Sequence, residues 1–278
     1  MTATTRTAAV ARRAPRQTHG FRVVARRVLR DQRRSPLTWG IPLGLLSALE
    51  VAIYPSVHKS LGKAVDSYPD ALKEAFRIET IDTPAKFLNG EMFSLLVPLA
   101  IGFFAIRAAS RPIVGYEERR WLDVVLAVPV RRQTLVAGAF AATAVSSAAI
   151  LTVMCTLIWI AGQVFGAEIA VGDLAGALVG TWAFAALFAG LALAVSGRIG
   201  NWTAVTGIAT GLLVGSYVID VVSRVADGLR QLGKISPFHW YGSPLLDGVG
   251  AGHLGLALTG VLLAVVGALL FERRDVHG

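Results

Sequence analysis

The chain is short of charge. Asp, Glu, Lys and Arg make up 16% of its 278 residues, against roughly 25% in an ordinary soluble domain. With 54% hydrophobic residues and a mean hydropathy of +0.58, it lacks the polar surface of a water-soluble globule. Cysteine is nearly absent: Cys155 stands alone, which rules out an internal disulfide and leaves the redox compartment unreadable. Nowhere does Gly-x-x-x-x-Gly-Lys-Ser/Thr occur, so the backbone cradle and lysine that hold nucleotide phosphates are missing. No His-Glu-x-x-His occurs either, and His19, His58, His239, His253 and His277 are scattered, which argues against a zinc hydrolase of that kind.

What the chain has instead is length of apolar sequence. A hydrocarbon core of about 30 Å takes about 20 mostly apolar residues per helix. Six runs qualify: Leu37 to Val57, Met92 to Ala109, Leu135 to Ala161, Leu174 to Val195, Trp202 to Val222 and Gly252 to Phe271. The expected fold class is therefore an all-α membrane protein with six transmembrane helices. Its division is a disordered tail over residues 1–19, an interfacial amphipathic helix over 20–34, a six-helix transmembrane bundle over 35–272 and a tail over 273–278.

Basic residues orient this bundle. With both termini inside, nineteen Lys or Arg fall on the cytoplasmic side and eight outside, the usual positive-inside bias. All five lysines are among the eight, a distribution with no evident reason. The formal net charge of +9 is thus mostly topological, and nucleic acid is not an expected partner. The first apolar run starts late, contains Glu50 and has no small-x-small cleavage site, so it reads as an anchor and not as a signal peptide. The expected location is a cytoplasmic (inner) cell membrane. Ahead of the first run, Phe21, Val24, Ala25, Val28 and Leu29 recur at helical spacing, with Arg22, Arg26, Arg30, Arg33 and Arg34 opposite. That is the pattern of a helix lying in the headgroup layer with its guanidinium groups among lipid phosphates; a plain basic tail is the alternative.

Between the second and third runs sits a crowded charged insert, Gly115-Tyr-Glu-Glu-Arg-Arg-Trp-Leu-Asp-Val-Val-Leu-Ala-Val-Pro-Val-Arg-Arg132. Glu117 and Glu118 fall in the expected first turn of a short helix, where carboxylates favour the positive end of the macrodipole. Pro129 ends that helix near Val128. Trp121, Val124, Val125 and Val128 make one stripe; Arg119, Arg120 and Asp123 lie opposite, with Asp123 in reach of both arginines, while Leu122 and Leu126 interrupt the polar side. Such a helix suits either a solvated position packed on its own bundle or one pinched between a bilayer and a protein partner.

Three further segments bear on the family. These are Pro84-Ala-Lys-Phe-Leu-Asn-Gly-Glu-Met-Phe-Ser-Leu-Leu-Val-Pro98, the insert with its acidic pair and Pro129-Val-Arg131, and Ser236-Pro-Phe-His-Trp-Tyr-Gly-Ser-Pro-Leu-Leu-Asp-Gly248. In combination they resemble the permease subunits of ABC-2 type transporters over residues 20 to 272. The chain departs from that family's usual pattern at Arg120-Trp121-Leu122, where Gly-Thr-Leu is common, and at Gly138-Ala139, where Gly-Lys is common.

The resemblance implies an exporter of a drug, antibiotic or lipid-like compound. In it Tyr116, Glu117, Glu118, Arg119, Arg120, Trp121, Leu122, Asp123, Val125 and Leu126 form a coupling helix docked on a cytoplasmic ABC ATPase. It further implies two ATPase copies carrying ATP and Mg, no cofactor on this chain, and a second permease copy or related permease.

Other readings stay open. Glu117-Glu118 suggests an intramembrane hydrolase, because adjacent carboxylates activate water or bind a metal; a non-transporting sensor or resistance protein is the remaining alternative. Ser60-Leu-Gly-Lys63 matches Ser-x-x-Lys without its companion motifs. Glu50, well inside the first run, marks a substrate path or a hydrogen bond to a neighbouring helix. Arg107 is expected to snorkel to inner-leaflet phosphates, and Arg131 and Arg132 to meet lipid. Gly172, Gly176 and Gly180 in the fourth run, and Gly207, Gly211 and Gly215 in the fifth, permit close helix approach either within the subunit or at a dimer seam. Phe87, Leu88, Phe238, Trp240 and Tyr241 read as an aromatic belt, with a lid over an exit as the alternative.

Overall fold

A computed structural model describes residues 17–66, 83–118 and 131–274. Six helices in it are long and apolar enough to cross a membrane: Pro36–Val57, Pro84–Gly115, Arg132–Phe165, Val171–Arg198, Trp202–Val225 and Ala251–Arg273. These first to sixth spans contain the six apolar runs and extend the second, third and fourth of them by about a turn or more at each end. No strand occurs among the described residues.

The N-terminal helix, Gln17–Gln32, starts three residues before the expected position 20. Its arginines at 22, 26, 30, 33 and 34 are exposed. Part of its apolar stripe is covered by protein: Val24 and Val28 are buried against the N-terminal turns of the third span, while Phe21 is exposed. There a Cβ on Gly138 would come within 2.6 Å of Val24 Cγ1. The sequence reading laid this whole stripe on lipid; Gly138 is the dock that it did not anticipate.

Three stretches widen into π-helical turns, at Pro36–Gly40, Asn89–Leu96 and Arg111–Gly115. Each has a proline within it or just after it, which removes an N–H from the regular ladder. Thr83 caps the start of the second span, its Oγ1 accepting from Lys86 N–H at 3.3 Å, with Pro84 in the favoured first position.

The fourth and sixth spans make the closest pair. Gly190 and Gly197 of the fourth lie against Gly260 and Gly267 of the sixth, where an added Cβ on Gly260 would meet Leu187 N at 2.8 Å. At the end of the bundle away from the N-terminal helix, Phe87, Leu88, Phe238 and Tyr241 are buried and only Trp240 is exposed. The belt expectation is corrected for those four: the short helix Pro237–Tyr241 turns its rings inward onto Phe184, 4.8 Å from Phe238 and 5.2 Å from Tyr241 between centroids, while Phe87 packs on Tyr54 of the first span at 5.8 Å and Leu88 is buried beside it. His253 holds the same corner. Its Nδ1 accepts from Gly250 N–H at 3.1 Å, which leaves Nε2–H to donate to Tyr241 O at 2.9 Å.

Candidate functional site

The end of the bundle that carries the N-terminal helix gathers the chain's arginines, and polar contacts there join segments far apart in sequence. The start of the insert is at its centre. The helical backbone runs without a break from Pro84 through Glu118, because the wide turn at Arg111–Gly115 absorbs Pro112. Glu117 and Glu118 thus extend the second span and do not open a new helix. The macrodipole argument for their placement is corrected accordingly: the amide groups before them are already in helical structure.

Each carboxylate has a partner within the subunit. Glu117 pairs with Arg274, just beyond the sixth span. Arg274 Nη1 also donates to Ser196 O in the fourth span at 2.8 Å. Gly200 leaves room for this pair, since a Cβ there would lie 3.1 Å from Glu117 Oε1 and 3.0 Å from Arg274 Nη2. Glu118 Oε1 accepts from Trp202 N–H at 2.7 Å, while Asn201 Oδ1 accepts from Ala204 N–H at 2.7 Å. Between them they satisfy two of the first N–H groups of the fifth span, which have no intrahelical partner.

Arginines complete the arrangement. Arg132 Nη1 donates to Phe271 O at 3.0 Å and to the Arg274 carbonyl, and its guanidinium lies 5.3 Å from the Phe271 ring. The expectation that Arg132 meets lipid is corrected, whereas Arg131 is exposed. Arg107 sits 4.8 Å over the Trp202 ring and 5.5 Å from Phe103, an arrangement worth about 0.5–2 kcal/mol. It lines a cavity and is exposed there, with two rings beside its guanidinium.

That cavity has a volume of about 490 Å³. The N-terminal helix contributes Asp31 and Gln32, the first span Trp39, the second span Phe104, Arg107 and Arg111, and the fifth span Trp202, with Glu118 at its edge. Gln32 Nε2 donates to Ala108 O at 3.1 Å and ties the N-terminal helix to the second span.

Tyr116, Glu117 and Glu118 are thus placed on the continuous helix, whereas Arg119, Arg120, Trp121, Leu122, Asp123, Val125 and Leu126 lie outside the described residues. Glu50 is half-buried in the first span. The residues that sequence reasoning missed are Arg274, Trp202 and Asn201, which act through partners 84 or more positions away or cap a neighbouring turn. It also missed Asp220, buried inside the fifth span and paired with Arg224; a four-residue acid–base spacing was the available signal. Among the described residues no group of three or more His, Cys, Asp or Glu is arranged to hold a metal.

Six spans, an N-terminal helix fastened across them and a polar knot at one end define a multi-pass helical membrane protein. The family model described as "Multidrug efflux system permease Rv1217c, C-terminal domain" matches residues 27–272, and the chain belongs to that family. No curated protein matches it. Membership makes the chain a transport permease.

Proposed function

We propose that this permease is the membrane subunit of an ABC-2 type exporter, driven by two copies of a separate cytoplasmic ATPase and completed by a second copy of itself or a related permease. The single observation that carries the reading is the family match over residues 27–272. It joins a chain with no phosphate-binding loop to an efflux system that needs an energy source. ATP and Mg belong to the partner, and the exported compound is a drug, antibiotic or lipid-like molecule. The arginine-rich end faces the cytoplasm, with the guanidinium groups of Arg22, Arg26, Arg30, Arg33 and Arg34 among inner-leaflet phosphates.

In this reading the segment from Tyr116 to Leu126 meets the ATPase, and Glu117 and Glu118 pass its movement inward. The first is tied to the end of the sixth span and the second to the start of the fifth. A displacement of the insert therefore pulls on two spans at once, through the Glu117–Arg274 pair and the Glu118–Trp202 hydrogen bond. Coupling of this kind needs a two-position element that both sites bias, and the polar knot is the candidate.

The test is co-expression with a nucleotide-binding subunit. ATP hydrolysis is expected in the pair and not in the permease purified alone. Robust hydrolysis by a preparation shown by mass spectrometry to hold no partner would overturn the reading. Orientation is checked separately: Arg230→Cys is expected to react with an impermeant thiol reagent in intact cells and Arg131→Cys is not, and the reverse pattern would invert the topology.

A further inference from the structure

We propose that the cavity beneath the N-terminal helix binds the anionic head, phosphate or carboxylate, of an amphiphile whose apolar body lies along Trp39, Phe104 and Trp202. The proposal rests on the exporter reading and adds to it a substrate class and an entry position.

Size comes first. At about 490 Å³ the cavity lies within the range of about 300–1,000 Å³ of small-molecule sites. Its walls are of two kinds. One is aromatic and aliphatic; the other presents Arg107 and Arg111, neither of which has an ion-pair partner among the described residues. Arg107 is held in place by the rings of Trp202 and Phe103, so its guanidinium is oriented before any ligand arrives. A planar fork fixed in this way suits the oxygens of a phosphate or carboxylate.

The lining also holds two acids, which keep their charge but are engaged elsewhere: Glu118 accepts from the Trp202 amide, and Asp31 has a partner of its own. Two buried polar atoms on lining residues, Gln32 Oε1 and Trp202 Nε1, have no partner among the described residues, an unusual cost in a packed protein. Both walls also contain a π-helical turn, Pro36–Gly40 on one side and Arg111–Gly115 on the other, and such turns are frequent at functional sites. Finally, the N-terminal helix that lines the cavity keeps Arg22, Arg26 and Arg30 exposed, as a helix beside lipid headgroups does. That height suits an amphiphile, with its head at the interface and its body among the spans.

The experiment uses the purified permease without ATPase, titrated with dodecyl phosphate while intrinsic tryptophan fluorescence is followed. Saturable binding is expected, at least tenfold tighter than for dodecyltrimethylammonium, which has the same tail and the opposite charge. It is also expected to be at least tenfold tighter than for inorganic phosphate, which has the head without the tail. The double substitution R107Q and R111Q is expected to abolish the preference for the anion, and R107K and R111K to keep it. Should the glutamine variant fail to give monodisperse protein, the singles R107Q and R111Q carry the test, each weakening dodecyl phosphate and not dodecyltrimethylammonium. Equal affinity for both tailed probes, or an unchanged preference in the glutamine variants, would overturn the site. Inorganic phosphate binding as tightly as dodecyl phosphate would show a free-anion site and overturn the amphiphile. Since no transport is measured, loss of this preference leaves the exporter reading standing, and failure of export with binding intact leaves the site standing.

Discussion

The fourth and fifth spans carry the same glycine spacing and use it in opposite ways. Cβ atoms added at Gly176 and Gly180 of the fourth would run into Pro244, and its later glycines lie on the sixth-span backbone. At Gly207, Gly211 and Gly215 of the fifth, nothing lies within 4 Å of the added Cβ, while Ile208, Leu212, Val218 and Val222 are exposed around them. One stripe is spent on the subunit's own core and the other is left open. The fifth span buries Val205, Ala209 and Leu213 on its inner face and is bonded as well by Glu118 and Asn201 at its start and by the Ser236 hydroxyl, which donates to Ser216 O at 2.7 Å further along. The two spans should therefore fail under different substitutions.

The largest effect is expected at Gly190→Leu. The added side chain meets Gly260 backbone, with its Cα 2.9 Å from the Cβ position, and backbone cannot step aside as a rotamer does. Overpacking of this kind costs about 3 kcal/mol or more, enough to remove most of the folded permease. Yield of monodisperse protein in detergent and the thermal midpoint measure it. A variant as stable as the parent would mean that the fourth and sixth spans do not approach at this glycine.

Next in size is the pinning of the fifth span. Replacing Glu118 and Asn201 together by Ala frees two N–H groups, at about 1 kcal/mol for each lost cap, or roughly 2 kcal/mol for the pair. The thermal midpoint should fall, and Glu118→Gln, which keeps an acceptor, should recover part of the loss. If the pair costs nothing, the fifth span is held by packing that these contacts do not represent. Smaller again is Trp182→Phe in the fourth span. It removes a hydrogen bond from Nε1 to Ala144 O at 2.9 Å, worth about 1 kcal/mol, and leaves the glycine contacts in place.

These differences set the limits of what the sequence discloses. The six spans were legible because a stretch of apolar residues long enough to cross a bilayer has few other uses, and the N-terminal stripe was legible because its period is helical. The environment of a glycine was not legible. Spacing says that a backbone can be approached, and only the fold says by what: Gly176 and Gly207 look alike until Pro244 is placed beside one of them. Glu117 and Glu118 stood out for their position, yet the sequence directed them to a partner protein, since Arg274 lies 157 residues away. The aromatics around Pro237–Tyr241 carried the composition of an interfacial belt, and Phe184, which draws them inward, sits 54 positions or more earlier in the chain. Most of the coupling segment, Arg119 to Leu126, lies outside the described residues, so the sequence remains its main witness.

The smallest effect on the fold, and the sharpest test of the comparison, is expected at Gly211→Leu. An added side chain there meets open space within the subunit, and leucine has a higher helix propensity than glycine by roughly 0.8–1 kcal/mol, so the thermal midpoint of the isolated permease should hold or rise slightly. In lipid, small residues at four-residue spacing are valuable where two backbones meet, and a glycine stripe with no neighbour in its own subunit is suited to a neighbour from another. On the proposed two-permease assembly, Gly211→Leu should therefore reduce pairing while leaving the subunit intact, as read by cross-linking or mass photometry in nanodiscs. Gly172→Leu is the matching control, since that glycine also faces open space but lies near the end of the fourth span. A stable Gly211→Leu variant that still pairs like the parent would place the second permease elsewhere. A destabilised one would mean that the two glycine stripes are alike after all, each filled from within the subunit.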